Sequence, residues 1–135
     1  MSETRGYREL DVYQNARALL KPVHALVLTF PDYEKFDLCS QIRRACKSVP
    51  ANIAEGYAKR RSTKEFCAYL ANAMASANEL EVHFEIAHDL GYINEDERRH
   101  FTEAYSVIGK QLYRLIEYWR TADRPVTAMR LATRD

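Results

Sequence analysis

Between Phe66 and Ala87 the apolar residues Phe66, Leu70, Ala73, Ala77, Leu80, Phe84 and Ala87 recur at intervals that alternate between four and three. This 3.5-residue spacing belongs to a helix that packs along its length in a left-handed bundle; a strand would scatter the same residues over both faces. The ends are marked too. Ser62 and Glu65 have the Ser-x-x-Glu capping spacing, in which the hydroxyl takes the Glu65 N–H and the glutamate reaches back. Gly91 is a natural residue for leaving a helix. The spacing predicts a helix over residues 62–90. Its middle is rich in small residues (Ala68, Ala71, Ala73, Ala75, Ser76, Ala77), so a neighbour can approach closely.

The rest of the chain supplies three partners for that stripe. Tyr13, Ala16, Leu20, Val23, Val27 and Phe30 predict a helix over 11–28, with a kink where the Pro22 ring meets the Ala18 carbonyl. Leu38, Ile42, Ala45, Val49, Ile53 and Tyr57 predict one over 36–58. It should continue through Pro50, because the apolar phase is kept across the proline. Asn94 and Glu97 repeat the capping logic in a weaker form. Beyond them Phe101, Tyr105, Ile108, Leu112, Leu115 and Trp119 line a helix over 94–120. Short connections make neighbours antiparallel. The expectation is one all-α domain over 7–120, an up-down-up-down antiparallel four-helix bundle, followed by a flexible tail over 121–135 that contains Pro125.

At 135 residues such a domain can bury a core without metal or disulfide staples. Cys39, Cys46 and Cys67 are odd in number, and the first two are roughly 10 Å apart on one helix, so reduced thiols are expected. No run approaches the ~18 apolar residues of a membrane span, and Met1 to Tyr7 have no apolar signal region. These features point to a soluble, cytoplasmic protein with no membrane partner.

The net charge of +1 hides a strong pattern. Residues 35–64 carry eight basic side chains against Asp37 and Glu55, whereas residues 65–103 carry nine acids against Arg98 and Arg99. Lys59, Arg60, Arg61 and Lys64 form a compact basic knot beside Tyr57, which Arg43, Lys47 and the arginines at 120, 124, 130 and 134 could extend. Clustered cations beside aromatics are what a phosphate backbone with stacked bases requires; a solvated helix turn is the plainer explanation. Arg44, Ser48, Asn52 and Glu55 form a polar row beside the apolar stripe. It can be a contact surface, or a network in which Ser48 or Asn52 answers backbone groups freed by Pro50.

Two Glu-x-x-His pairs, Glu85 with His88 and Glu97 with His100, raise the question of a di-metal carboxylate bundle. They sit near a helix junction, and the first helix offers no mid-helix acid, so no metal site is assigned. No phosphate-binding glycine loop, Cys-x-x-Cys pair or catalytic constellation is present, and no cofactor or small-molecule substrate is indicated.

Three features together resemble the 23S rRNA intervening sequence proteins: the opening Tyr7-Arg8-Glu9-Leu10-Asp11-Val12-Tyr13-Gln14, the stretch from Ser40 to Tyr57, and, in order, Lys64-Glu65-Phe66, Asn78-Glu79-Leu80-Glu81 and Leu90-Gly91-Tyr92-Ile93. The resemblance covers about residues 7–118. It implies a four-helix bundle and a ring-shaped homo-oligomer, with a pentamer favoured, but no established activity. A related group resembles accessory proteins of diversity-generating retroelements, in which a basic bundle assists a reverse transcriptase and its RNA. The resemblance makes Arg43, Arg44, Ser48, Pro50, Asn52, Glu55 and Gly56 motif residues of this chain. The function expected is that of a non-enzymatic homo-oligomer that binds RNA or a ribonucleoprotein through the basic surface around residues 43–64. The alternative is a structural or protein-interaction module without nucleic-acid contact, for example accessory to a reverse transcriptase; a di-metal bundle enzyme is the remote alternative.

Overall fold

The 4-3 stripe becomes the centre of the molecule. In the computed structural model, which describes residues 6–122, five helical segments are present: α1 (Asp11–Ala18), α2 (Leu20–Val27), α3 (Leu38–Ala58), α4 (Thr63–Asp89) and α5 (Glu95–Ala122). Short 3-10 turns at Tyr7–Glu9 and Asp32–Glu34 precede α1 and α3. No strand occurs among the described residues. All seven residues of the stripe are buried. α4 packs between α3 and α5, α1 touches both α3 and α5, and α2 lies on α3.

The neighbours run antiparallel, because along each seam one residue number falls as the other rises. Between α3 and α4, Ser48 meets Ser76 and Tyr57 meets Phe66. Between α4 and α5, Phe84 stacks on Phe101 and Phe66 meets Trp119 edge-on. The bundle therefore has two distinct ends. One carries the α3–α4 turn; the other carries the α2–α3 connection and the α4–α5 turn.

The interruption expected ahead of Pro22 is present: the first helical stretch breaks at Leu19, whose N–H turns back to Ala16, and restarts as α2 with Val23 bonding to Leu19. Pro22 cannot donate, so the break falls one turn ahead of it, and the proline sits in the first turn of α2, where a missing N–H costs little. Pro50 does the opposite. It is buried within an unbroken α3, held there by packing on both sides in the stripe. α5 extends to Ala122, and the remainder of the expected tail, 123–135, lies outside the described residues.

The caps rank differently from their order in sequence. Ser62 Oγ accepts the Glu65 N–H at 3.1 Å, but the Ser62 N–H is already given to the Lys59 carbonyl, so Glu65 has no donor to reach back to. At α5 the exchange is reciprocal: Glu97 N–H to Asn94 Oδ1 at 2.8 Å and Asn94 N–H to Glu97 Oε1 at 2.9 Å. α4 ends in a Schellman motif, with Gly91 N–H on His88 and Tyr92 N–H on Ala87, and Gly91 takes a φ of 81°.

A candidate nucleic-acid interface

The α3–α4 turn is short because α3 and α4 approach closely beneath it. A Cβ added at Gly56 would lie 2.6 Å from the Tyr69 Cβ, so the last turn of α3 can sit against α4 only with glycine there. This crossing lifts Lys59, Arg60, Arg61 and Lys64 into solvent, and all four are exposed. Among the described residues none of the four makes an ion pair with an acid. Two of them lie over aromatic rings instead. The Arg60 guanidinium is 4.0 Å from the centroid of Tyr57, and its Nη1 donates to the Tyr57 carbonyl at 2.9 Å. The Lys59 ammonium is 5.3 Å from the Tyr69 centroid, and that side chain holds the Lys59 pKa above its ordinary value.

Two more cation–ring pairs join this end from α1 and the turn before it. Arg8 lies over Tyr7 at 4.7 Å and Arg17 over Tyr13 at 5.9 Å, and the two tyrosines meet edge to face. These were not singled out from sequence, although the spacings of one and four residues were visible there. Trp119 is partly buried, edge-on to Phe66, and belongs to the core at this end.

Not all of the expected basic surface assembles. Arg43 is half-buried and donates to the Lys35 carbonyl at 3.0 Å, at the far end of α3. Sixteen residues of helix separate it from Lys59, about 24 Å at 1.5 Å per residue. Lys47 is exposed midway. The knot is thus 59–64, with Arg43 apart from it.

The polar row divides. Ser48 Oγ lies 2.9 Å from Ser76 Oγ, and Asn52 Nδ2 donates to both the Ser48 carbonyl and its hydroxyl at 2.9 Å. Ser48 thus ties α3 to α4, and Asn52 braces Ser48 from within α3. The amide serves Ser48, not the Cys46 carbonyl that Pro50 leaves without its donor. Arg44 and Glu55, at the ends of the row, are exposed.

The opposite end gathers acids. Glu95 receives Arg98 through two nitrogens and lies near Arg99 and His88, while Asp96 pairs with Arg99. The Arg98 contact holds the Glu95 carboxyl down at about 2. Glu34 is buried, accepting the Tyr92 hydroxyl at 2.7 Å and the Leu38 N–H at 3.3 Å. Of the two Glu-x-x-His pairs, Glu97 is engaged as a cap and His100 lies against Phe101. Among the described residues no group of three or more His, Cys, Asp or Glu is arranged to hold a metal. The cysteines are free and buried, and burial pushes the Cys46 thiol up to about 11, which keeps it protonated and unreactive. No helix among the described residues is long and apolar enough to cross a membrane.

Comparison with known proteins bears on the family and the fold. A family model described as 23S rRNA-intervening sequence protein matches residues 8–114. The fold is similar to the crystal structure of a protein of unknown function from the S23 ribosomal protein family of Bacteroides thetaiotaomicron. The two share 23% identity and a TM-score of 0.69, over 78% of this chain and 97% of that one. No curated protein matches this chain.

Proposed function

Since the chain belongs to the 23S rRNA-intervening sequence protein family, we propose that it is a non-enzymatic, homo-oligomeric protein that binds RNA through the α3–α4 turn. The observation that carries this reading is the set of four cations there, exposed and free of acidic partners among the described residues. At the opposite end the arginines are neutralised, Arg98 and Arg99 by Glu95 and Asp96. Cations left unpaired at one end retain their full charge for phosphates.

Self-association is supported by the outward side of α4. Ala68, Ala71 and Ala75 are exposed there, and Val82 and Ile86 are 51% and 39% exposed. A helix apolar on its outer side as well as its inner side is suited to contact with a second copy. A ring of copies would present the basic turn several times to one strand and bind it multivalently.

The test is RNA retention by protein purified without nuclease. Replacing both Arg60 and Arg61 with Glu should abolish retention while leaving the circular dichroism and melting unchanged, since both side chains are exposed. For four phosphate contacts, raising salt from 50 to 200 mM should weaken binding by roughly 50- to 150-fold. Unaltered retention by the double variant would overturn the site.

A second reading, a protein-interaction module, draws on the other end. Leu28, Tyr33, Phe36 and Leu90 are 84%, 75%, 87% and 54% exposed there. Absence of any bound RNA at 50 mM salt would favour it.

A further inference from the structure

The cation–ring pairs of the basic end say which form of RNA it fits. Resting on the RNA-binding reading above, we propose that the turn selects single-stranded over double-stranded RNA, by stacking an unpaired base on the outer face of the Arg60 guanidinium.

Arg60 is already held in place in the free protein. A solvent-exposed arginine ordinarily samples many rotamers, and fixing it costs entropy. Here its Nη1 donates to the Tyr57 carbonyl and its central carbon lies 4.0 Å from the Tyr57 centroid. Tyr57 is itself set by the core, edge-on to Phe66. The guanidinium is therefore preorganised over the tyrosine ring on an exposed residue, and less is lost when a ligand settles on it. Flat guanidinium and aromatic planes are what proteins offer to splayed-out bases. Lys59, Arg61 and Lys64 are exposed on the same turn, suited to the flanking phosphates.

A duplex has nothing to give such a plane, because its bases are already stacked and paired. It is bound by backbone and groove shape. Charge alone would favour the duplex, which carries more phosphates per unit length than a single strand. A preference for the single strand is therefore diagnostic of stacking.

The experiment compares a 12-nucleotide oligouridine with a 12-base-pair RNA duplex, each binding the full chain at 50 mM salt, followed by fluorescence anisotropy. The single strand should bind at least tenfold more tightly. Arg60→Lys keeps the charge and removes the plane. It should weaken the single strand by about 5- to 150-fold and leave the duplex affinity and both salt slopes unchanged. Arg60 is exposed, so the variant should fold as the parent does. Tyr57→Leu, checked by its melting curve, should act in the same direction. Equal affinity for the two RNAs, or equal weakening of both by Arg60→Lys, would overturn the stacking proposal and leave the RNA reading standing. Binding of neither RNA would overturn both.

Discussion

The two ends of this bundle handle charge in opposite ways. At the α4–α5 turn, acids occupy the first turn of α5 and arginines follow three and four residues later, so the charges meet on one helix face. The acids also complement the positive end of the α5 dipole. At the α3–α4 turn the cations are consecutive, on a segment that is not helical, and Glu55 and Glu65 fall outside ion-pair reach. Lys59 to Arg61 do suit the negative end of α3, but α4 begins at the same turn and there Lys64 is misplaced. One end pairs its arginines with acids on the same helix turn. The other keeps a surplus that folding alone does not require.

The sharpest way to break the comparison uses the glycine of each end. Gly56 is there for space, since a Cβ would meet that of Tyr69 at 2.6 Å. Gly91 is there for conformation, with open space around it and a φ of 81°. Gly56→Ala should cost about 1–3 kcal/mol through overpacking, and Gly91→Ala about 1–2 kcal/mol through left-handed strain. Asparagine separates the causes. It tolerates the left-handed region, so Gly91→Asn should recover stability relative to Gly91→Ala, whereas Gly56→Asn should be worse than Gly56→Ala. Urea midpoints of the four variants decide it; rescue by asparagine at 56 would mean that the crowding is not what excludes a side chain there.

The caps give a smaller effect that sharpens the same contrast. Ser62→Ala and Asn94→Ala should each cost about 1 kcal/mol. Double-mutant cycles should differ. Asn94 and Glu97 exchange bonds and should couple, whereas Ser62 and Glu65 should not couple through the glutamate side chain, because Lys59 has already taken the Ser62 N–H. Coupling of equal size at both pairs would show that the bond between Ser62 and Lys59 gives way to the glutamate in solution.

That bond also explains what was legible in the sequence and what was not. Apolar periodicity located every long helix, because burial depends on which side of the helix a residue occupies. All seven residues it picked on α4 are buried, beside Cys67 and His83, which it did not pick, and it kept α3 continuous through Pro50. It placed an interruption at the Ala18 carbonyl, and the chain breaks at the adjacent Leu19; what it left open was that two eight-residue arms would pack separately, α1 on α3 and α5 and α2 on α3. It misordered the caps, because a motif fixes the acceptor and says nothing of whether the donor is already engaged. The basic knot was readable as a cluster of neighbours in the chain. Arg43 was wrongly joined to it, since charge counted by segment ignores 24 Å of helix, about sixteen residues of rise. The rings under Arg60 and Lys59 were not readable as partners, because a cation over a ring depends on side-chain directions that only the closed turn sets.

The smallest expected effect tests the acidic end by titration. The Arg98 guanidinium lowers the Glu95 pKa from its ordinary 4.5 to about 2. A carboxyl whose pKa is lower in the folded state than in the unfolded one binds its proton less readily when folded. Its contribution to stability is therefore fully present above pH 4.5 and is lost as the pH falls toward 2. Glu95 is exposed, so solvent and salt screen the pair and the contribution is small. Glu95→Gln should flatten the fall of the urea midpoint between pH 4.5 and 2.5 and leave RNA binding at neutral pH unchanged, the carboxyl being at the other end of the bundle. If Glu95→Gln altered RNA binding instead, the two ends would not be electrostatically independent, and the charge surplus at the α3–α4 turn would have to be explained as the counterpart of the acids, not as a site of its own.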